Sequence, residues 1–202
     1  MNSDEIDCSS QHPPVHRFVP DGDKFDRQAI LRQLFQHEAH STQSHLINNR
    51  WENTYLETHF TPAVTSLLSY AASRAGKICD KKLLVPHQLL GFAANEYWFN
   101  MAHPGESTGM HNHRDGSLVS GVYYLDVPQD GGNLFFRRED GSDIETYSKT
   151  GEMVLFPSHL DHYVAVNNSS SVRVSLAFNC FEPPVRNRIG VAGYSKNRYF
   201  SS

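Results

Sequence analysis

From about Leu89 onward the chain is a succession of short runs rich in Val, Tyr, Phe and Leu, each ended by residues that turn the backbone. The runs are NEYWFNMA, SLVSGVYYLDV, GGNLFFRR, EMVLFPS, HYVAV and VRVSLAFNCF. Their breaks hold Pro104-Gly105, Asp130-Gly131-Gly132, Asp140-Gly141-Ser142, Gly151 and Asn167-Asn168-Ser169. Such spacing turns successive strands back on one another and predicts an antiparallel sandwich or barrel. No long internal repeat is visible, which argues against a solenoid or propeller.

The first part of the chain has a different period. Between Asp23 and His40, Phe25, Ile30, Leu31, Leu34 and Phe35 recur three and four residues apart, as on one face of a helix. A second helix is predicted from Pro62 to Arg74, with Thr61 as N-cap and Ala63, Leu67, Leu68 and Ala71 as its apolar stripe. Residues 1–22, with His12, Pro13, Pro14 and Pro20, show no period and read as a flexible arm. The expected layout is that arm, one domain over 23–182 (helices 23–80, β core 89–182) and a basic tail over 183–202.

Composition narrows the class. Lys and Arg number 18 against 22 Asp and Glu in 202 residues, a formal charge of −4 that argues against a general nucleic-acid binder. No apolar run approaches the ~20 residues of a membrane span, and the opening MNSDEIDCSS is too acidic for a secretory signal. Cys8, Cys79 and Cys180 form no CxxC pair, so neither a disulfide framework nor a thiolate metal site is supported. A cytoplasmic enzyme or ligand binder with no membrane or nucleic-acid partner is expected. Its oligomeric state is not legible.

The chemistry lies in three places. In Met110-His111-Asn112-His113-Arg114-Asp115, strand alternation would turn His111, His113 and Asp115 to one side. Three ionisable groups facing a dry core are costly unless that face is solvated or binds something charged. Downstream stands Phe156-Pro157-Ser158-His159-Leu160-Asp161-His162, and then Arg173-Val174-Ser175 opens an apolar strand. Alternation there sends Arg173, Ser175, Ala177 and Asn179 one way and Val174, Leu176 and Phe178 the other. A guanidinium beside a hydroxyl in a core-grade strand calls for an anionic partner. Two imidazoles and a carboxylate match the facial triad of non-haem Fe(II) oxygenases, which leaves positions open for a 2-oxo acid and O₂.

With these motifs the sequence resembles the 2-oxoglutarate/Fe(II)-dependent oxygenases from about Asn95 to Phe181. It is most similar to a subgroup of putative 2-oxoglutarate oxygenases related to prolyl hydroxylases. Trp98-Phe99-Asn100, His111-Asn112-His113, Ser120-Gly121-Val122-Tyr123-Tyr124-Leu125, Phe156-Pro157-Ser158 and His162 carry the likeness. The resemblance implies a double-stranded β-helix (a jelly-roll, cupin-like) behind N-terminal helices. It implies Fe(II) on His113, Asp115 and His162, and 2-oxoglutarate held by Arg173, Ser175 and Tyr124. His111, Asn100 and Asn179 are expected to contact substrate or support the ligands. A second ligand set, His111, His113 and His162, stays open. The expected reaction is hydroxylation of an unactivated C–H bond in a small molecule, amino acid or peptidyl residue, with O₂ consumed and succinate and CO₂ released. The alternatives are a non-catalytic cupin-like binder of metal or small ligands on the three histidines, and a three-histidine iron dioxygenase that does not use 2-oxoglutarate.

Overall fold

The computed structural model describes residues 15–21, 24–47, 50–113 and 116–185. In chain order the elements are β1 (His16–Phe18), α1 (Arg27–Gln36), β2 (Thr42–Ile47), β3 (Arg50–Tyr55), α2 (Val64–Cys79), β4 (Tyr97–Ala102) and β5 (Thr108–His111). They continue with β6 (Val119–Asp126), β7 (Leu134–Arg137), β8 (Asp143–Thr146), β9 (Met153–Pro157), β10 (His162–Val164) and β11 (Arg173–Cys180). The strands form two antiparallel sheets, a large one ordered β1-β9-β6-β11-β4-β3-β2 and a small one ordered β5-β10-β7-β8. This is the double-stranded β-helix.

The pleat divides each central strand between two cores. Tyr97 and Phe99 of β4, Tyr123 and Leu125 of β6, and Val174, Leu176 and Phe178 of β11 meet Ile30, Leu31 and Leu34 of α1 and the α2 stripe of Val64, Leu67, Leu68, Ala71 and Ala75. The opposite faces pack Tyr124, Val154 and Phe156 against Leu134 and Phe136 of the small sheet. The helices therefore back the large sheet and leave its other side free to form a cavity with the small one.

The six runs read as strands became β4, β6, β7, β9, β10 and β11. Five other strands carry no clear apolar alternation. Within the stretch read as an arm, His16–Phe18 adds to the edge of the large sheet beside β9, with Phe18 buried. The β2–β3 hairpin comes from the chain between the two helices, and β8 alternates only between exposed and half-buried positions, of which Ile144 alone is apolar. In the fifth, β5, the regular strand stops at His111, so alternation does not extend to His113.

The helices also differ at their ends. The first begins at Arg27, capped by Asp26, whose side chain accepts from the Ala29 N–H at 2.9 Å. The second begins at Val64 and runs to Cys79, and Thr61 does not cap it. The Thr61 hydroxyl is buried at 3.3 Å from the Tyr97 hydroxyl, and the Ala63 N–H instead donates to Gln33 Oε1 of α1 at 3.0 Å. Among the described residues, no helix is long and apolar enough to cross a membrane.

Gly121 shows how tightly β6 is set. A Cβ there would lie 2.5 Å from the Phe178 ring and 2.7 Å from Leu155 Cδ2, both core side chains. Gly121→Ala should therefore destabilise the fold by about 1–3 kcal/mol. A urea midpoint lowered with little change in slope is the expected result.

Candidate active site

Between the two sheets lies a cavity lined by His111, His113 and His162, by Tyr124, Arg173 and Ser175, and by Asn53, Trp98 and Asn100. His111 ends β5, and its cross-strand partner is His162, the first residue of β10. His113 follows two residues later, held where its N–H donates to the Ser158 carbonyl at 2.8 Å. One potential ligand atom from each of the three rings lies within 4.8 Å of the others.

Two of the rings are oriented by backbone. His111 Nδ1 donates to the Gly109 carbonyl and His162 Nδ1 to the Leu160 carbonyl, each at 2.8 Å. A carbonyl only accepts, so the proton sits on Nδ1 and the Nε2 lone pair remains for a metal. His113 Nδ1 is buried without a hydrogen-bond partner among the described residues. Burial pulls the His162 pKa down to about 3, with the nearby His111 adding to the effect. Burial and the facing His111 and His162 hold His113 well below its ordinary value. Neutral rings with open lone pairs and an unsatisfied buried nitrogen fit a divalent transition metal.

Arg173 supplies the other half of the cavity. It is 2% exposed. Its Nη1 donates to the Gly131 carbonyl at 2.6 Å, with Gly132 and Ala165 carbonyls at 3.4 and 3.3 Å. Among the described residues no carboxylate pairs with it. Desolvation lowers its pKa only to about 10, so it remains a cation at neutral pH. Ser175 lies opposite Tyr124 on one side and Asn100 on the other, which places three polar groups in one row. Burial raises the Tyr124 phenol to about 12, so it stays a donor.

The residues expected in the site are distributed as follows. His111, His113, His162, Arg173, Ser175, Tyr124 and Asn100 all line the cavity. Asn179 does not; its Oδ1 accepts from Ser120 at 2.8 Å beneath the floor. Asp115 falls outside the described residues. Trp98, which carried part of the resemblance, also lines the cavity, with its ring centroid 5.4 Å from that of His113. Sequence reasoning missed the hairpin: Asn53 reaches the cavity, and His45 is close enough for its charge to act on His113. No spacing signal marked either residue, because their strands, β2 and β3, carry no apolar alternation.

Comparison with known proteins agrees with this geometry. Residues 96–149 and 137–179 match the family described as putative 2OG-Fe(II) oxygenase. A prolyl-4-hydroxylase from Pseudomonas putida superposes with a TM-score of 0.59 at 18% identity, covering 83% of this chain and 92% of its own. The epimerase SnoN from nogalamycin biosynthesis, in complex with Fe³⁺, alpha ketoglutarate and nogalamycin RO, gives 0.66 at 12%, covering 84% and 79%. A prolyl hydroxylase from Trichoplax adhaerens, bound to a hypoxia inducible factor oxygen degradation domain peptide, gives 0.60 at 14%, covering 90% and 87%. No curated protein matches the chain in sequence. These structural likenesses bear on the fold; the family match covers the β core. The matched stretch, residues 96–179, runs from β4 into β11 and holds both histidine segments and Arg173, so the β core is similar to the 2-oxoglutarate/Fe(II)-dependent oxygenases. That match indicates a 2-oxoglutarate-dependent Fe(II) oxygenase, a family that typically uses O₂, and the three-histidine cluster suits its Fe(II).

The depressed imidazoles set a pH dependence. His162 protonates at about 3 in the fold against 6.5 for an ordinary ring. Between those values the unfolded chain binds more protons, so stability falls as pH falls through that window. Below about pH 6 this ring alone contributes up to roughly 1.4 kcal/mol of loss per pH unit. Thermal midpoints of metal-free protein should drop from about pH 7 to about pH 5, and His162→Gln should flatten that slope.

Proposed function

We propose that the enzyme hydroxylates an unactivated C–H bond of a small-molecule or peptidyl substrate, with 2-oxoglutarate leaving as succinate and CO₂. The observation that carries this reading is the buried cation Arg173, without an acidic partner among the described residues, in the same cavity as three clustered imidazoles. A buried charge of this kind is costly unless a ligand brings its counter-charge. The far carboxylate of 2-oxoglutarate meets that need, bidentate on Arg173 with the Ser175 and Tyr124 hydroxyls beside it.

Of the two ligand sets open in the sequence, the clustering of His111, His113 and His162 supports the three-histidine set. Asp115 is the residue whose removal separates the two. When bound, the metal supplies O₂ activation; the chain's own groups orient both partners. Carbonyl bonds keep the Nε2 atoms of His111 and His162 turned inward. Leu134, Phe156, Val164 and Trp98 give the cavity apolar walls that exclude water. Asn53 and Asn100, hydrogen-bonded to each other at 3.1 Å, offer neutral polar contacts to a substrate. The peptide and nogalamycin RO ligands of the similar structures belong to those proteins. Both a peptidyl residue and a small molecule suit a site with these neutral groups.

Anaerobic addition of Fe(II) and then 2-oxoglutarate should give the visible metal-to-oxo-acid charge-transfer band. Arg173→Ala should cost about 1.5–3 kcal/mol of cosubstrate binding, a roughly 10- to 150-fold weaker apparent affinity. An unchanged affinity would remove the anion site from the proposal. His111→Ala should abolish the band and Asp115→Ala should leave it; the reverse result restores the carboxylate set. Gly132 has φ +90° and lies where a Cβ would meet Arg173 Nη1 at 2.7 Å and the Ala165 carbonyl. Gly132→Ala should therefore weaken 2-oxoglutarate binding in the same direction as Arg173→Ala, without loss of metal.

A further inference from the structure

The strand β3 reads Arg50-Trp51-Glu52-Asn53-Thr54-Tyr55, and its inward positions Arg50, Glu52 and Thr54 are all buried and polar. Two of these side chains grip the segment leading into His111. Arg50 donates to the Ser107 carbonyl and to the Met101 carbonyl at 3.2 Å, and its Nε lies 3.1 Å from Glu106. Glu52 is 6% exposed, and its Oε1 accepts from the Gly109 N–H at 2.9 Å.

Gly109 sits at an irregularity. On β10 the step from His162 to Val164 spans two residues, while the matching step on β5, from His111 to Thr108, spans three. The extra residue is a β-bulge, a device that re-aims side chains beside sites and takes backbone groups out of the ladder. Both polar groups of Gly109 are satisfied by side chains instead. Its N–H goes to Glu52, and its carbonyl accepts from His111 Nδ1 at 2.8 Å.

His162 provides the internal comparison. Its ring is also held by the carbonyl two residues earlier, that of Leu160, but the Leu160 N–H donates to a backbone carbonyl, Pro157, at 3.1 Å. One imidazole is thus anchored through backbone alone, the other through a carboxylate from a different strand.

We infer that Glu52 is a positioning residue for the metal centre: by fixing Gly109 in the bulge it sets the carbonyl that orients His111. This rests on the reading of His111 as a ligand. Supporting groups of this kind typically carry a 10- to 100-fold effect on metal affinity.

The test is a Co(II) titration of the metal-free protein, followed by its visible ligand-field bands, in wild type, Glu52→Gln, Glu52→Asp, Glu52→Ala and His111→Ala. Glutamine keeps an acceptor oxygen at the same reach and loses the charge; aspartate keeps the charge and is one methylene too short. Near wild-type affinity for Glu52→Gln, with Glu52→Asp and Glu52→Ala each weaker by roughly 10-fold or more and altered in band shape, is the expected pattern. Should Glu52→Ala not fold, the contrast between Gln and Asp carries the test unaided. Wild-type binding by Glu52→Asp, or binding by Glu52→Gln as weak as that of the shortened variants, overturns the inference. Wild-type affinity in His111→Ala overturns instead the ligand reading on which it rests.

Discussion

Strand β11 lies hydrogen-bonded between β4 and β6, and the two-residue period of its pleat must satisfy opposite solvents. Val174, Leu176 and Phe178 enter the core shared with the helices, while Arg173, Ser175 and Ala177 face the cavity. A register slip by one residue would bury the arginine among the helix side chains and turn the apolar residues toward the cavity. The helices, the packing of Gly121 against Phe178, and the row of Asn100, Ser175 and Tyr124 all depend on that register.

The cavity joins two electrostatic conditions. At one end burial keeps imidazoles neutral, which favours coordination over protonation. At the other a guanidinium stays charged because its pKa starts high enough to survive desolvation. The same low-dielectric surroundings therefore produce an uncharged lone-pair donor set and a fixed cation. That is the complement of a ligand that chelates through one end and carries a negative charge at the other.

Much of this could be read from the chain, for a definite reason. Strands that bury both faces, or alternate apolar with functional residues, announce themselves; six of the runs became strands, and His162, Arg173 and Ser175 were found by their places along them. The convergence of His113 was expected for a reason that does not hold, since regular strand ends at His111. What hid was built from polar residues. Arg50 and Glu52 alternate as a strand should, but inward residues that are charged look like a solvated surface until their partners on β5 are known. Asn179 points the predicted way along β11, yet it is covered by Ser120. Thr61 has the side chain of a cap and spends its hydroxyl on Tyr97, a contact 36 residues away that no local rule can see.

The hairpin has one more consequence. Its ladder to the rest of the large sheet is a single Cα pair, Thr54 with Phe99, beside the side-chain ties of Arg50, Glu52 and Asn100. The central strands β6, β9 and β11, by contrast, are paired along nearly their whole length. Local opening at the hairpin thus breaks fewer backbone pairs than global unfolding, so the amides of β3 should exchange through a lower-energy opening than those of β6 and β11. The cavity borders both regions, with Asn53 on the hairpin and Arg173 on β11.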